Sequence, residues 1–236
     1  MMLKAEDAAW LIAWTTTDKT VLIGGQAVAF WARYFGIASR LPALTRDIDY
    51  FGTKAEASLI ASRLKIPHTL KVATLDDATP NTAVLFVPMK GYAEPIIIDY
   101  LASILGVRSI DIQKSAVTVE IDGQRLQVLH PLQLLQTKIW NLYKLEEKRT
   151  VEGIEQARLS VEIVAAYVKE ANKDQRSLLR SVETIARFSA TAPARFANEH
   201  FQLQCIKAIP ETAFDEGVLP QEFHEKRWPQ LLKAIG

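Results

Sequence analysis

Three aspartates stand where their type and spacing could do chemistry. Asp47 and Asp49 alternate along Thr45-Arg46-Asp47-Ile48-Asp49-Tyr50, and residues two apart on a strand project to the same face. Asp99 sits inside Pro95-Ile96-Ile97-Ile98-Asp99-Tyr100-Leu101, an apolar strand in which a lone carboxylate is costly to bury unless it binds a cation. Upstream, Val21-Leu22-Ile23 runs into Gly24-Gly25 and then an amphipathic segment. Such a turn lets backbone N–H groups approach a phosphate, with the positive dipole end of the following helix behind them. The chemistry this combination suits is transfer of a phosphate-containing group. Charge builds on phosphate oxygens during in-line displacement, and two Mg²⁺ ions roughly 3.5–4 Å apart can activate the attacking hydroxyl and steady the leaving group. Mg²⁺ takes carboxylate, water and phosphate oxygens as ligands. Each signal alone has an ordinary reading: a glycine pair before a helix is a common turn, Asp47 and Asp49 can be solvated acids at a strand end, and Asp99 can cap a turn or meet Arg108.

The elements that must position these residues are legible from periodicity. Ala5 to Thr15 reads as a short helix and Thr20 to Ile23 as a buried strand ending in the glycine pair. Gln26 to Phe35 carries Ala27, Phe30, Trp31 and Tyr34 at helical spacing, with Gly36 as its C-cap. A loop over 37–44 leads to the Asp-x-Asp strand, and a helix from Lys54 to Leu64 is stopped by Pro67. Strands are expected at 69–74 and 82–88, the second pairing antiparallel with Ile96–Leu101 across a turn at 89–94, which puts Asp99 in the sheet of Asp47. Asp122-Gly123 between Val117–Ile121 and Gln124–Leu129 signals a hairpin. From Pro131 the pattern turns helical, with helices at about 131–147, 151–171, 174–189, 193–208 and 220–235. The expected fold is α+β: a mixed sheet with flanking helices over residues 1–130, then a helical domain over 131–236. Trp10, Trp14, Trp31 and Trp140 sit among apolar residues and read as core, and Trp228 as an anchor for the last helix.

The order of Gly24-Gly25, helix, Asp47-x-Asp49 and later Asp99 resembles the nucleotidyltransferase superfamily, of polymerase-beta-like fold. The Gly-Gly-x-Ala opening and the Thr-x-Asp-Ile-Asp strand look most like its AbiEii toxin-like branch, over roughly residues 20 to 140. The resemblance implies transfer of a nucleoside monophosphate from an NTP to a hydroxyl on an acceptor, which could be tRNA, a protein side chain or a small molecule. It implies Asp47, Asp49 and Asp99 as catalytic, metal-holding acids, with Asp47 and Asp49 shared by two Mg²⁺ ions. Gly24, Gly25, Thr45 and Arg46 would meet the triphosphate, although Arg46 alternates with Asp47 and can face away. Lys138 matches a lysine of that branch that reaches the nucleotide, against the plain reading of a snorkelling surface lysine. The branch's usual Lys-Asp-x-x-Asp segment is replaced by Lys148-Arg149-Thr150-Val151-Glu152-Gly153-Ile154-Glu155-Gln156, so no catalytic role carries over to Glu152 or Glu155. Asn141, Arg149 and Gln156 read more simply as polar residues of helix surfaces. The physiological setting implied is a toxin–antitoxin or phage-defence pair with a separately encoded antitoxin.

Composition bounds these readings. The chain has 236 residues, 49% of them hydrophobic, and a net charge of +1, so no overall basic excess favours non-specific nucleic-acid binding. Lys144, Lys148, Arg149 and Arg158 are interleaved with Glu146, Glu147, Glu152 and Glu155, the pattern of a solvated face. One cysteine, Cys205, forms no internal disulfide, the first residues lack a signal-peptide pattern, and no apolar run approaches the ~20 residues that span a bilayer. A cytoplasmic protein with no membrane association is expected. Histidines and cysteine lack zinc spacing, and no Ser-His-Asp, P-loop or Rossmann pattern is present. Beside the enzyme stand two alternatives: a catalytically idle nucleotidyltransferase-like module that binds nucleotide or a partner, and an aminoglycoside-type modifying enzyme with an acidic pocket for a cationic acceptor.

Overall fold

The protein is described by a computed structural model covering residues 2–41, 44–74, 76–77, 79–121, 124–171 and 174–235. The architecture is α+β. Two compact units divide the chain: Met1–Phe30 with Arg40–Leu134, and Trp31–Ser39 with Leu135–Gly236.

The first unit is built on a mixed sheet that has seven strands among the described residues. In chain order its elements are α1 (Ala5–Thr15), β1 (Val21–Ile23), the start of α2 (Gly24–Tyr34), β2 (Ile48–Phe51), α3 (Lys54–Arg63), β3 (Thr69–Val72), β4 (Asn81–Val87), β5 (Ile96–Leu101), α4 (Ser109–Ser115), β6 (Val117–Ile121) and β7 (Gln124–Val128). The strand order is β3-β4-β5-β2-β1-β7-β6. β2 runs parallel to β5 and β1 parallel to β7, while the remaining neighbours are antiparallel. The expected β4–β5 and β6–β7 pairings are both present; the Asp122-Gly123 turn between the latter lies outside the described residues.

Period-two alternation sorts the sheet into two faces. Ile48, Tyr50, Leu85, Ile98 and Tyr100 are fully buried, and the rings of Tyr50 and Tyr100 stack with centroids 5.5 Å apart. Thr15, at the end of α1, ties both tyrosines to that helix. Its hydroxyl bonds the Leu11 carbonyl at 2.7 Å and the Tyr50 hydroxyl at 3.1 Å, and its carbonyl accepts from the Tyr100 hydroxyl at 3.2 Å. Burying the two phenols in this apolar layer drives their pKa values far above the ordinary range. The opposite face, with Asp49, Val84, Ile97 and Asp99, is half-buried.

Two expectations need correcting here, and one element was not foreseen. Trp10 and Trp14 are not core: they are 41% and 52% exposed, their rings 6.2 Å apart. α1 turns Ala8, Leu11 and Thr15 inward, and at 100° per residue positions 10 and 14 fall on the outer side. Trp31, by contrast, is buried. α4 was not anticipated; its seven residues are too few to display a period, and its N-cap Arg108 makes no side-chain capping bond. Arg108 itself pairs with Asp111 at 2.6 Å rather than with Asp99.

The second unit holds α5 from Leu135 (α5 spans Pro131–Lys144), α6 (Val151–Ala171), α7 (Gln175–Ser189), α8 (Ala192–Phe201) and α9 (Trp228–Ile235). The helix expected over 193–208 ends at Phe201. Gln202 adopts a left-handed φ of 57°, its N–H and that of Leu203 returning to the Asn198 and Ala197 carbonyls; a 3₁₀ turn over Cys205–Ala208 follows. The last helix begins as a π turn over Phe223–Arg227, where Trp228 packs against Phe214 and Phe223. Among the described residues no helix is long and apolar enough to cross a membrane.

His130, just before α5, gives this fold a pH dependence. Burial pushes its imidazole down to about 4, and its Nδ1 accepts the Leu132 backbone N–H at 3.2 Å, which requires the neutral ring. An unfolded chain protonates this side chain near 6.5, while the folded chain resists. Stability therefore falls as the pH drops from about 6.5 towards 4 and levels off below, by up to ~1.4 kcal/mol per pH unit. Urea titrations of wild type and His130→Gln across that window should diverge with this slope; parallel curves would refute the assignment.

Candidate functional site

The site grows from the junction of β1 and α2. β1 stops at Ile23, and Gly24, at φ +67°, turns the chain directly into α2 with no intervening loop. Gly24 itself makes the turn and the helix follows at once, so the backbone N–H groups of the glycine pair sit at the helix's positive end, where anions are favoured. Directly across the sheet, Ile23 pairs with Asp49. The Asp49 side chain folds over the turn so closely that a Cβ built on Gly24 would lie 1.8 Å from its Oδ2. Only glycine fits beneath this carboxylate.

On the other side of β2, Asp49 is in parallel register with Asp99 of β5. Partners in register share a face, so the two acids stand side by side on the half-buried face of the sheet. One oxygen of Asp99, Oδ1, accepts the Asn81 Nδ2–H at 2.7 Å. Asp47 precedes β2 and is half-buried. Its backbone N–H lies 3.4 Å from the Thr45 hydroxyl, and the Thr45 carbonyl accepts the Leu3 N–H at 3.3 Å, tying this stretch to the buried Leu3. Arg46 between them is exposed.

Gly24, Asp49 and Asp99 are therefore brought together in one unit, with Thr45, Arg46 and Asp47 on the approach to β2. Among the described residues no group of three or more His, Cys, Asp or Glu side chains is arranged to hold a metal ion. What the protein offers a divalent cation is the Asp49–Asp99 pair. That donor set suits Mg²⁺, which commonly binds through one or two carboxylates and completes its shell with phosphate oxygens and water. A phosphate on the Gly24-Gly25 N–H groups would be adjacent to Asp49.

Lys138 belongs to the second unit. It is 5% exposed, which excludes a surface lysine, and its Nζ donates to Gln156 Oε1 at 2.7 Å. Glu155 is clasped by Arg158 through two bonds of 2.6 and 2.8 Å. Arg149 donates to the Leu142 and Tyr143 carbonyls at the end of α5 and lies over the Phe196 ring, a structural clamp. Nothing in the sequence singles out Asn81; its only trace is an amide at the head of the strand that pairs with the Asp99 strand.

No protein-family model matches the chain, and no curated protein matches it. Among solved structures it is similar to JHP933 from Helicobacter pylori, at 14% identity over 86% of each chain with a TM-score of 0.41. It is also similar to a protein described as a "putative nucleotidyltransferase from H. pylori", at 12% identity over 86% of this chain and 88% of that one, with a TM-score of 0.37. Neither likeness is close enough to assign a role to any residue.

Proposed function

We propose that this chain is a Mg²⁺-dependent nucleotidyltransferase that moves a nucleoside monophosphate from an NTP to an acceptor hydroxyl. The observation that carries the reading is the seating of Asp49 on Gly24, at the N-terminus of α2, in register with Asp99. A phosphate-approachable helix start and a pair of acids meet there at one point of the sheet.

In this reading the Gly24 and Gly25 N–H groups bind triphosphate oxygens, and the Thr45 hydroxyl and Arg46 guanidinium steady the outer phosphates. Asp49 and Asp99 hold Mg²⁺, and Asp47, on the approach to β2, lies outside that pair. When bound, Mg²⁺ supplies charge neutralisation on the phosphates and acidifies the acceptor hydroxyl. The apolar residues on the same face, Val84 and Ile97, keep the two carboxylates in a partly dehydrated setting, which strengthens their interaction with a cation. The Gly-Gly-x-Ala opening and the Thr-x-Asp-Ile-Asp strand favour the AbiEii-like branch, and with it a tRNA or protein acceptor and an antitoxin partner.

The test is transfer of label from each α-³²P-NTP in the presence of Mg²⁺ and total RNA or cell lysate, for wild type and for Asp47→Ala combined with Asp49→Ala. Label on a discrete acceptor with wild type, and none above background with the double variant, is expected. Unlabelled acceptor under every NTP, with nucleotide binding retained, would replace the enzyme by an idle nucleotide-binding module.

A further inference from the structure

We infer that Asn81 is a positioning residue for Asp99, placed on the acid face of the sheet by a β-bulge in β4. The inference rests on the reading of Asp49 and Asp99 as the working acids.

The pairing of β4 with β5 shows how the placement arises. Val84 opposes Asp99 and Ala83 opposes Tyr100, but Leu101 pairs with Asn81, one residue further from Ala83 than an unbroken ladder allows. Without that shift Thr82 would face Leu101, and Asn81 would fall on the opposite, buried face, because one residue of slip exchanges the two faces. With the shift, Asn81 stands across from Leu101, which lies two residues beyond Asp99 and on the same side. The amide then reaches diagonally to Asp99 Oδ1 at 2.7 Å. Bulges bend a strand and re-aim a side chain in this way.

The bulge is itself held in place. The Thr82 hydroxyl lies 3.0 Å from both the Gly52 and the Tyr100 carbonyls, the Asn81 N–H donates to the Thr79 hydroxyl at 3.2 Å, and the Ala102 N–H donates to the Pro80 carbonyl at 2.9 Å. A polar side chain, the neighbouring strand β5, the residue that follows β2 and a turn together fix one residue's displacement. The side chain displayed also suits the task. A neutral amide orients the carboxylate through one oxygen without cancelling the charge a cation needs, whereas a lysine or arginine would compete with the cation. Partners of this kind, one step behind the acid that binds the metal, set its direction.

Two measurements on metal-free and Mn²⁺-titrated protein test this. In the metal-free ¹H–¹⁵N spectrum, the Asn81 side-chain amide, identified by its loss in Asn81→Ala, should be displaced from the free-amide position and should return to it in Asp99→Ala. Mn²⁺ titration followed by electron paramagnetic resonance should give binding about 10-fold weaker in Asn81→Ala than in wild type, and weaker still in Asp99→Ala, with thermal melting of Asn81→Ala close to wild type. Weakened binding in Asp99→Ala alongside wild-type affinity in Asn81→Ala overturns the positioning role alone. Wild-type affinity in Asp99→Ala overturns the reading of the acids. An Asn81 amide at the free position in the wild-type spectrum overturns the inference whether or not the variants fold.

Discussion

Gly24→Ala is expected to lose roughly 100-fold or more in nucleotidyl transfer while the protein remains folded. Two effects act at this residue. A φ of +67° costs an L-residue about 1–2 kcal/mol, which a domain of this size survives. The new methyl also falls 1.8 Å from Asp49 Oδ2, 2.6 Å from its Cγ and 2.9 Å from its Cβ, so the carboxylate has to move. The backbone of β2 is locked between β1 and β5, which leaves rotation of the Asp49 side chain as the way out. A displacement of about 1 Å in a reacting group costs on the order of 100-fold. Gly91→Ala separates the two effects: it carries comparable backbone strain, at φ +92°, with nothing within 4 Å of the added methyl. Transfer rates and urea midpoints for both variants should show similar loss of stability and a loss of activity only at position 24. Wild-type rates for Gly24→Ala would remove the glycine from the site.

The second large effect is one of stability. Glu155→Ala should destabilise the helical unit by about 3 kcal/mol, because it removes the buried partner of a largely buried guanidinium and leaves that charge only the more exposed Glu162. Glu155 is 5% exposed and the Arg158 side chain only 15%. The guanidinium grips both carboxylate oxygens, and the Ser39 hydroxyl adds a third bond at 3.3 Å. On its other side the same arginine meets Glu162, whose side chain is 45% exposed; Glu162→Ala should cost less than about 1 kcal/mol. Equal urea midpoints for the two variants would mean that burial does not govern this cluster. The pair also explains why Glu155 is a poor heir to a catalytic acid: its charge is already committed.

How much of this was legible in the sequence depended on how local the signal was. The Asp-x-Asp strand, the glycine pair and the alternation around Asp99 are patterns within six or seven residues, and they placed Asp99 in one sheet with that strand; β2 and β5 are neighbours, but β2 begins at Ile48, so Asp49 and not Asp47 stands in register with Asp99. The antiparallel β4–β5 pairing followed from a turn signal between two apolar runs. The bulge could not follow, because it is a mismatch between two strands and each strand reads normally by itself. Trp10 and Trp14 misled for a related reason: apolar composition predicts burial only on average, and α1 turns Ala8, Leu11 and Thr15 inward, with Thr15 bonded to the tyrosines of the sheet. Lys138 read equally well as a lysine that reaches the nucleotide or as a snorkelling surface lysine because a helical position records a period and not what packs against it. The end of α8 at Phe201 rests on a left-handed glutamine, a conformation that sequence assigns by preference to glycine or asparagine.

The helical unit draws Trp31–Ser39 from far upstream of its remaining residues, which begin at Leu135. On the ribosome this segment emerges about a hundred residues before the helices that complete its unit. At about 5–20 residues per second the wait is roughly 5–20 s. During that interval Trp31, which ends 3% exposed, and the Phe35 ring stacked on it at 5.6 Å have no finished unit around them. The nascent chain therefore carries these aromatics without their unit through that interval, a natural handle for a chaperone and a liability for any message cut short before Leu135.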